Sequence, residues 1–149
     1  MDTLKGRAVA LFDAKGRVSL PAKYRKLLPE DLVVTKSPDG ELPSLVLYTP
    51  EGFEQWMDEV LEGKGGNRST NKNLYHIIEK YYQNAENVKV DGVGRILIPV
   101  ELREYAEIDK EVVFSGARDH LILRSVPTWE KHQKLLENVT TYDEQPAQA

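Results

Sequence analysis

The chain has 149 residues, with 20 Lys and Arg against 24 Asp and Glu for a net charge of −4, and it has no cysteine. Disulfide, thiolate-metal and cysteine-nucleophile chemistry are therefore excluded, and a cytoplasmic address is expected. Charges at Asp2, Lys5 and Arg7 stand where a signal peptide would need an apolar run, and no window approaches the ~18 consecutive apolar residues of a membrane span, so neither secretion nor a membrane partner is expected.

In chain order, Ala8 to Phe12 reads as a strand that meets a tight turn at Asp13, where Gly16 can take a positive φ. Arg17 to Leu20 alternates polar and apolar residues, the period of a second strand. Pro21 then suits the first position of a helix of about two turns. Leu32 to Thr35 and Leu45 to Tyr48 are further short strands. Thr49-Pro50 resembles a cap and first residue, and Phe53, Trp56, Met57, Val60 and Leu61 follow at the spacing of one helix face, ending at Gly63.

Residues 63 to 70 have the composition of a flexible linker. A helix from about Asn71 to Asn84 carries Leu74, Ile77, Ile78 and Tyr81 on one face. The earlier order then returns: a strand at Val88 to Val90, a turn at Asp91, a strand at Arg95 to Ile98, Pro99 opening a short helix, and strands at Val112 to Ser115 and Leu121 to Arg124. A last helix runs from Pro127 to about Leu136. Residues 140 to 149 have little to bury and are expected to be disordered.

That return is the most specific feature of the chain. D-A-K-G-R-V-S-L-P-A-K-Y-R, from Asp13 to Arg25, reappears 78 residues later as D-G-V-G-R-I-L-I-P-V-E-L-R, from Asp91 to Arg103. Such a period implies a duplicated unit. The expected organisation is a first repeat at 1–63, a linker and middle helix at 64–85, a second repeat at 86–138 and a tail at 139–149, in a mixed α+β, β-rich fold.

Charge is unequal between the copies. Residues 1 to 28 hold seven Lys or Arg against two Asp, whereas residues 91 to 110 hold three against five Asp or Glu. Steering of a polyanion responds to the local patch and not to the molecular sum. Arg17 and Arg95 each follow a bend, and the planar guanidinium fork makes paired hydrogen bonds to phosphate or to guanine O6 and N7. Lys15 and Gly16 share the first bend. Lys5 and Arg7 precede it and would extend one basic surface if strand and bend lie on the same side. Arg25 and Arg103 have two readings: contacts to DNA, or structural ion pairs with Asp13 and Asp91.

At these residues the chain resembles the MraZ family, bacterial transcriptional regulators of the division and cell wall gene cluster. The resemblance rests on the two D-x-x-G-R stretches and on L-Y-T-P-E-G-F-E-Q-W from Leu47 to Trp56, and it spans about residues 1 to 138. It implies a swapped-hairpin, AbrB-like β-barrel built by both halves of one chain. It further implies a ring-forming homo-oligomer that is associated with the nucleoid and binds double-stranded DNA at tandem G-rich promoter repeats, as a repressor. Arg17, with Lys15 beside it, takes the position of the family's DNA-contacting arginine, and Arg95 is its equivalent. Along the middle helix, Asn71, Asn73, His76 and Glu79 depart from the family's basic pattern, leaving Lys72 and Lys80.

Two rival classes differ in kind. An enzyme could use Asp13 and Asp91 as paired carboxylates, but each is followed by Gly-Arg, which favours the ionised form and opposes a shared proton. His76, His120 and His132 lack metal-ligand spacing. No catalysis, cofactor, metal or small-molecule substrate is expected. The other class is an assembly or antitoxin-like module with a protein partner, served by the helix from Pro50 to Gly63 and the C-terminal helix.

Overall fold

The computed structural model describes residues 2–38, 41–63 and 72–140. The first half comprises β1 (Arg7–Leu11), β2 (Arg17–Ser19), α1 (Ala22–Arg25), β3 (Asp31–Lys36), β4 (Leu45–Tyr48) and α2 (Pro50–Glu62). After α3 (Lys72–Gln83), the second half repeats the order as β5 (Glu86–Lys89), β6 (Arg95–Leu97), α4 (Val100–Tyr105), β7 (Glu111–Gly116), β8 (His120–Arg124) and α5 (Val126–Leu136). Residues 64–71 and 141–149, which hold most of the expected linker and tail, lie outside the described residues.

The halves exchange strands. One six-stranded antiparallel sheet runs β1-β7-β8-β4-β3-β5, so β1 of the first half pairs with β7 of the second and β5 of the second pairs with β3 of the first. A second antiparallel ribbon, β2-β6, takes one strand from each half, with Val18 opposite Ile96 at its centre. The closed barrel is not found. Among the described residues the large sheet ends at β1 on one side and β5 on the other, with no ladder joining them.

Alternation places Leu32, Val34, Leu45, Leu47, Phe114, Leu121 and Leu123 on one face of the sheet, packed against Val18, Leu20, Ile96 and Ile98 of the ribbon and Tyr24 and Leu102 of the short helices. The opposite face, with Val33, Val46 and Tyr48, receives Phe53 and Met57 of α2 and Tyr81 near the end of α3. No helix among the described residues is long and apolar enough to cross a membrane.

Helix starts follow the sequence signals with one correction. Thr49 and Ser125 cap α2 and α5, their hydroxyls accepting from the Gly52 N–H at 2.9 Å and the Thr128 N–H at 3.1 Å. Pro21 and Pro99, expected as first helical residues, are instead the caps themselves, with ψ of 140° and 141°. The helices they open are shorter than two turns, four residues in α1 and six in α4. Their ends are taken up by contacts to the bends of the other half.

Candidate nucleic-acid interface

Each bend is built around one carboxylate. Asp13 Oδ1 accepts from the Lys15 and Arg17 backbone N–H groups, both at 2.9 Å, while Oδ2 accepts from Arg17 Nε at 2.9 Å. The second bend repeats this: Asp91 Oδ1 accepts from Val93 N–H at 3.0 Å and Arg95 N–H at 2.9 Å, and Oδ2 from Arg95 Nε at 3.0 Å. Gly16 and Gly94 close the turns at φ of +85° and +90°, a region that a Cβ opposes.

The aspartates therefore pair with Arg17 and Arg95, four residues on, and not with Arg25 and Arg103. Those two arginines cross to the other half. Arg103 of α4 lies against Gly16, where a Cβ would stand 2.8 Å from Nη2, and its guanidinium also covers the Phe12 ring at 5.4 Å. Arg25 lies against Gly94, 2.5 Å from the same notional atom, and Nη2 donates to the Gly92 carbonyl at 3.4 Å. Each bend thus rests on an arginine from the opposite repeat.

Arg17 and Arg95 are ion-paired but not buried, with side chains 32% and 34% exposed. The aspartate takes the Nε side, and among the described residues no hydrogen bond engages Nη1 or Nη2 of either arginine. The ribbon register sets Arg17 opposite Leu97 and Ser19 opposite Arg95. All four therefore share one face, and Val18 and Ile96 are buried on the other. The two arginine Cα atoms stand about 8 Å apart on the diagonal, from strand rise and spacing. Ser19 and Leu97 were not singled out from sequence. Period-2 counting from Arg17 finds Ser19, whereas Leu97 needs the cross-half register.

The single basic surface expected to join Lys5, Arg7, Lys15 and Arg17 is not formed. Arg7 opens β1 and the bend follows its end, about 20 Å away at strand rise. Lys5 and Arg7 instead gather with Lys23, whose Nζ donates to the Arg7 carbonyl at 2.9 Å, and the Arg7 guanidinium lies 5.3 Å from the Trp129 ring of α5. Lys15 is exposed at the bend. Lys110, which enters the sequence reading only in the charge count, joins it there: its carbonyl accepts from Phe12 N–H at 2.8 Å, and it lines a hollow with Asp13, Arg103 and Asp109. Among the described residues, no group of three or more His, Asp or Glu is placed to hold a metal ion.

Both aspartates are held below the usual carboxylate range, first by the backbone N–H of Arg17 or Arg95, with the arginine side chains adding to it. A lowered folded-state value means that this contribution to bend stability is present above the ordinary value of 3.8 and is lost as pH falls through the lower folded value. Carboxyl carbon titration by NMR should give midpoints below 3.8 for both, with the Lys15 and Arg17 amide signals broadening in the same acid range. Midpoints at or above the ordinary value would contradict the paired geometry.

A family model described as "MraZ protein, putative antitoxin-like" matches residues 6–70 and 81–148. The chain belongs to the MraZ family. Relatives named "Transcriptional regulator MraZ" include those of Thermoanaerobacter sp., 35% identical over 130 residues and covering 87% of this chain and 85% of that protein. That of Acetivibrio thermocellus is 36% identical over 121 residues, 80% of this chain and 79% of its own. That of Mycoplasmoides gallisepticum is 33% identical over 119 residues, 80% and 79% respectively. The MraZ match spans both Asp-bend-Arg units, so the duplicated site falls within the family region.

Proposed function

We infer that this chain is a transcriptional regulator that binds double-stranded DNA through the outer face of the β2-β6 ribbon and its flanking bends. The observation that carries this reading is the shared, exposed face of Arg17 and Arg95, each with its Nε side fixed by an aspartate. An antiparallel ribbon fits the major groove, about 12 Å wide, and outward guanidinium edges suit guanine O6 and N7. Lys15 and Lys110 around the first bend favour adjacent phosphates, while Arg103 and Arg25 lie against Gly16 and Gly94 and hold the two bends in place. Lys5 and Arg7 would meet the same duplex only farther along its backbone. The operator is a set of tandem G-rich promoter repeats before the division and cell wall cluster, which the protein represses in the nucleoid.

One ribbon makes few phosphate contacts and binds weakly at physiological salt, whereas a closed ring presents several at high effective concentration. Val9 and Leu11, 60% and 56% exposed on edge strand β1, supply an apolar face for subunit contact in such a ring. The strand exchange between halves would then be the swapped-hairpin plan of the family in an open form. Footprinting of the full chain on its upstream region across a salt series tests the reading. Protected repeats with steep loss of binding at higher salt are expected, and a single repeat should bind far more weakly than several in phase. Salt-independent or repeat-independent binding would refute it. In light scattering, Val9→Glu with Leu11→Glu should yield monomers with unchanged circular dichroism; an intact assembly would move the subunit contact elsewhere.

A further inference from the structure

The two halves differ at one place where their repeat predicts sameness. In the second half, the β1-β7 ladder continues beyond Arg7 and Ser115, with Gly116 N–H donating to the Gly6 carbonyl at 2.8 Å. The equivalent pair in the first half is Lys36 with Asn84. There the β3-β5 ladder stops at Val34 and Glu86, because Asn84 lies in the turn that ends α3. The interruption opens a cavity of 130 Å³, whereas at Gly116 the backbone of Leu4 and Lys5 fills the equivalent position.

Among the described residues the lining of the cavity is cationic, in a chain of net charge −4. Lys36 and Lys80 line it with Thr35, Tyr81, Asn84 and Tyr105, and among the described residues no carboxylate does. Lys36 Nζ is held 4.5 Å from the Tyr105 ring, and Asn84 is oriented by donating Nδ2–H to the Lys80 carbonyl at 2.9 Å. Thr35 is 1% exposed and its hydroxyl has no partner among the described residues, an arrangement that costs free energy unless something meets it. A second hollow of 360 Å³ shares Lys36 and Asn84 and is bordered by Gln83, Glu86 and Glu101. Its amide and carboxylates suit hydroxyl groups.

We propose that this paired cavity binds a phosphorylated polyhydroxy compound, such as a sugar phosphate, with the phosphoryl group between Lys36 and Lys80 and the hydroxyls toward Glu86 and Glu101. The site lies apart from the ribbon and does not depend on the DNA reading. The test is calorimetric titration of the full chain with inorganic phosphate, glucose 6-phosphate and glucose, following the Asn84 side-chain amide by NMR. Inorganic phosphate should saturate and shift that amide, glucose 6-phosphate should bind at least tenfold more tightly, and glucose alone should not bind. Lys80→Gln, on an exposed helix position, and the near-isosteric Thr35→Val should each weaken phosphate tenfold or more, while Arg17→Ala leaves it unchanged. Glu101→Ala should remove the preference for the sugar phosphate only. Non-saturating titration, full binding by Lys80→Gln, or loss of binding in Arg17→Ala would overturn the site. Equal affinity for phosphate and glucose 6-phosphate would overturn the polyhydroxy assignment.

Discussion

Replacing Arg17 and Arg95 together by alanine is expected to lower operator affinity by about 100-fold or more, from about 1–3 kcal/mol for each bidentate guanine contact. The loss should be specific. Both side chains are about one-third exposed, so truncation removes an ion pair worth little to stability and leaves the ribbon core of Val18 and Ile96 intact. Single variants separate the copies: Arg17→Ala should cost more than Arg95→Ala, because Lys15 flanks the first bend where Val93 flanks the second. Lys15→Gln and Lys110→Gln should reduce the slope of log affinity against log salt by about 1 each and leave base preference unchanged. Arg103→Met offers the contrast, since its guanidinium supports Gly16 from beneath. If it acts by positioning, affinity falls with the salt slope preserved; a lower slope would make it a phosphate contact. Titrations of the double variant at fixed salt that match the parent chain would remove the ribbon as the DNA surface.

The repeat makes the bends of this site legible in the sequence. Two aspartates, two glycines and two arginines at one spacing announced two bends, and both glycines occupy the positive φ region that this reading required. The helix cap at Thr49 is a local signal and stays local, whereas Ser125, which caps α5 in the same way, is not singled out by the sequence reading. Pairing was the part that sequence could not resolve. Asp13 keeps one separation to Arg17 and another to Arg25, and Asp91 keeps the same two, so repetition supports both pairings equally. The short separation wins because the bend brings Nε of the fourth residue onto Oδ2, while the helix carries Arg25 across to Gly92 and Gly94. Strand exchange was hidden for a related reason. Two similar repeats have similar alternation whether β1 pairs within its own half or with the other. The position of Lys5 and Arg7 was lost because charge counting ignores the length of a strand, and β1 carries them to the opposite end from the bend they precede in sequence.

Gly116→Val should destabilise the chain by about 4 kcal/mol, the loss expected for undocking the N-terminal segment from β7. A Cβ at this position would stand 2.5 Å from the Lys5 nitrogen and 2.6 Å from the Leu4 carbonyl carbon. Both are backbone atoms, so no side-chain rotation relieves the clash. The segment must move away, exposing Leu4, now 5% exposed, and breaking the paired bonds between Leu4 and Arg118 at 2.8 and 3.0 Å. Burial of a leucine contributes about 1.5–3 kcal/mol and each backbone bond about 1 kcal/mol. The same displacement withdraws the Lys5 carbonyl from the Tyr24 hydroxyl, which lies 2.9 Å away and ties the N-terminal segment to α1. Lys36→Gly, at the equivalent position of the first half, should change stability far less, because no strand docks there. Urea unfolding of the two variants measures this difference directly. A Gly116→Val midpoint equal to that of the parent chain would show that the N-terminal segment adds nothing to the sheet. The contrast between Gly116 and Lys36 would then have no energetic basis. A large loss confined to Gly116→Val would show that the two repeats use one strand-exchange plan, closed by the segment before β1 on one side and left open by α3 on the other.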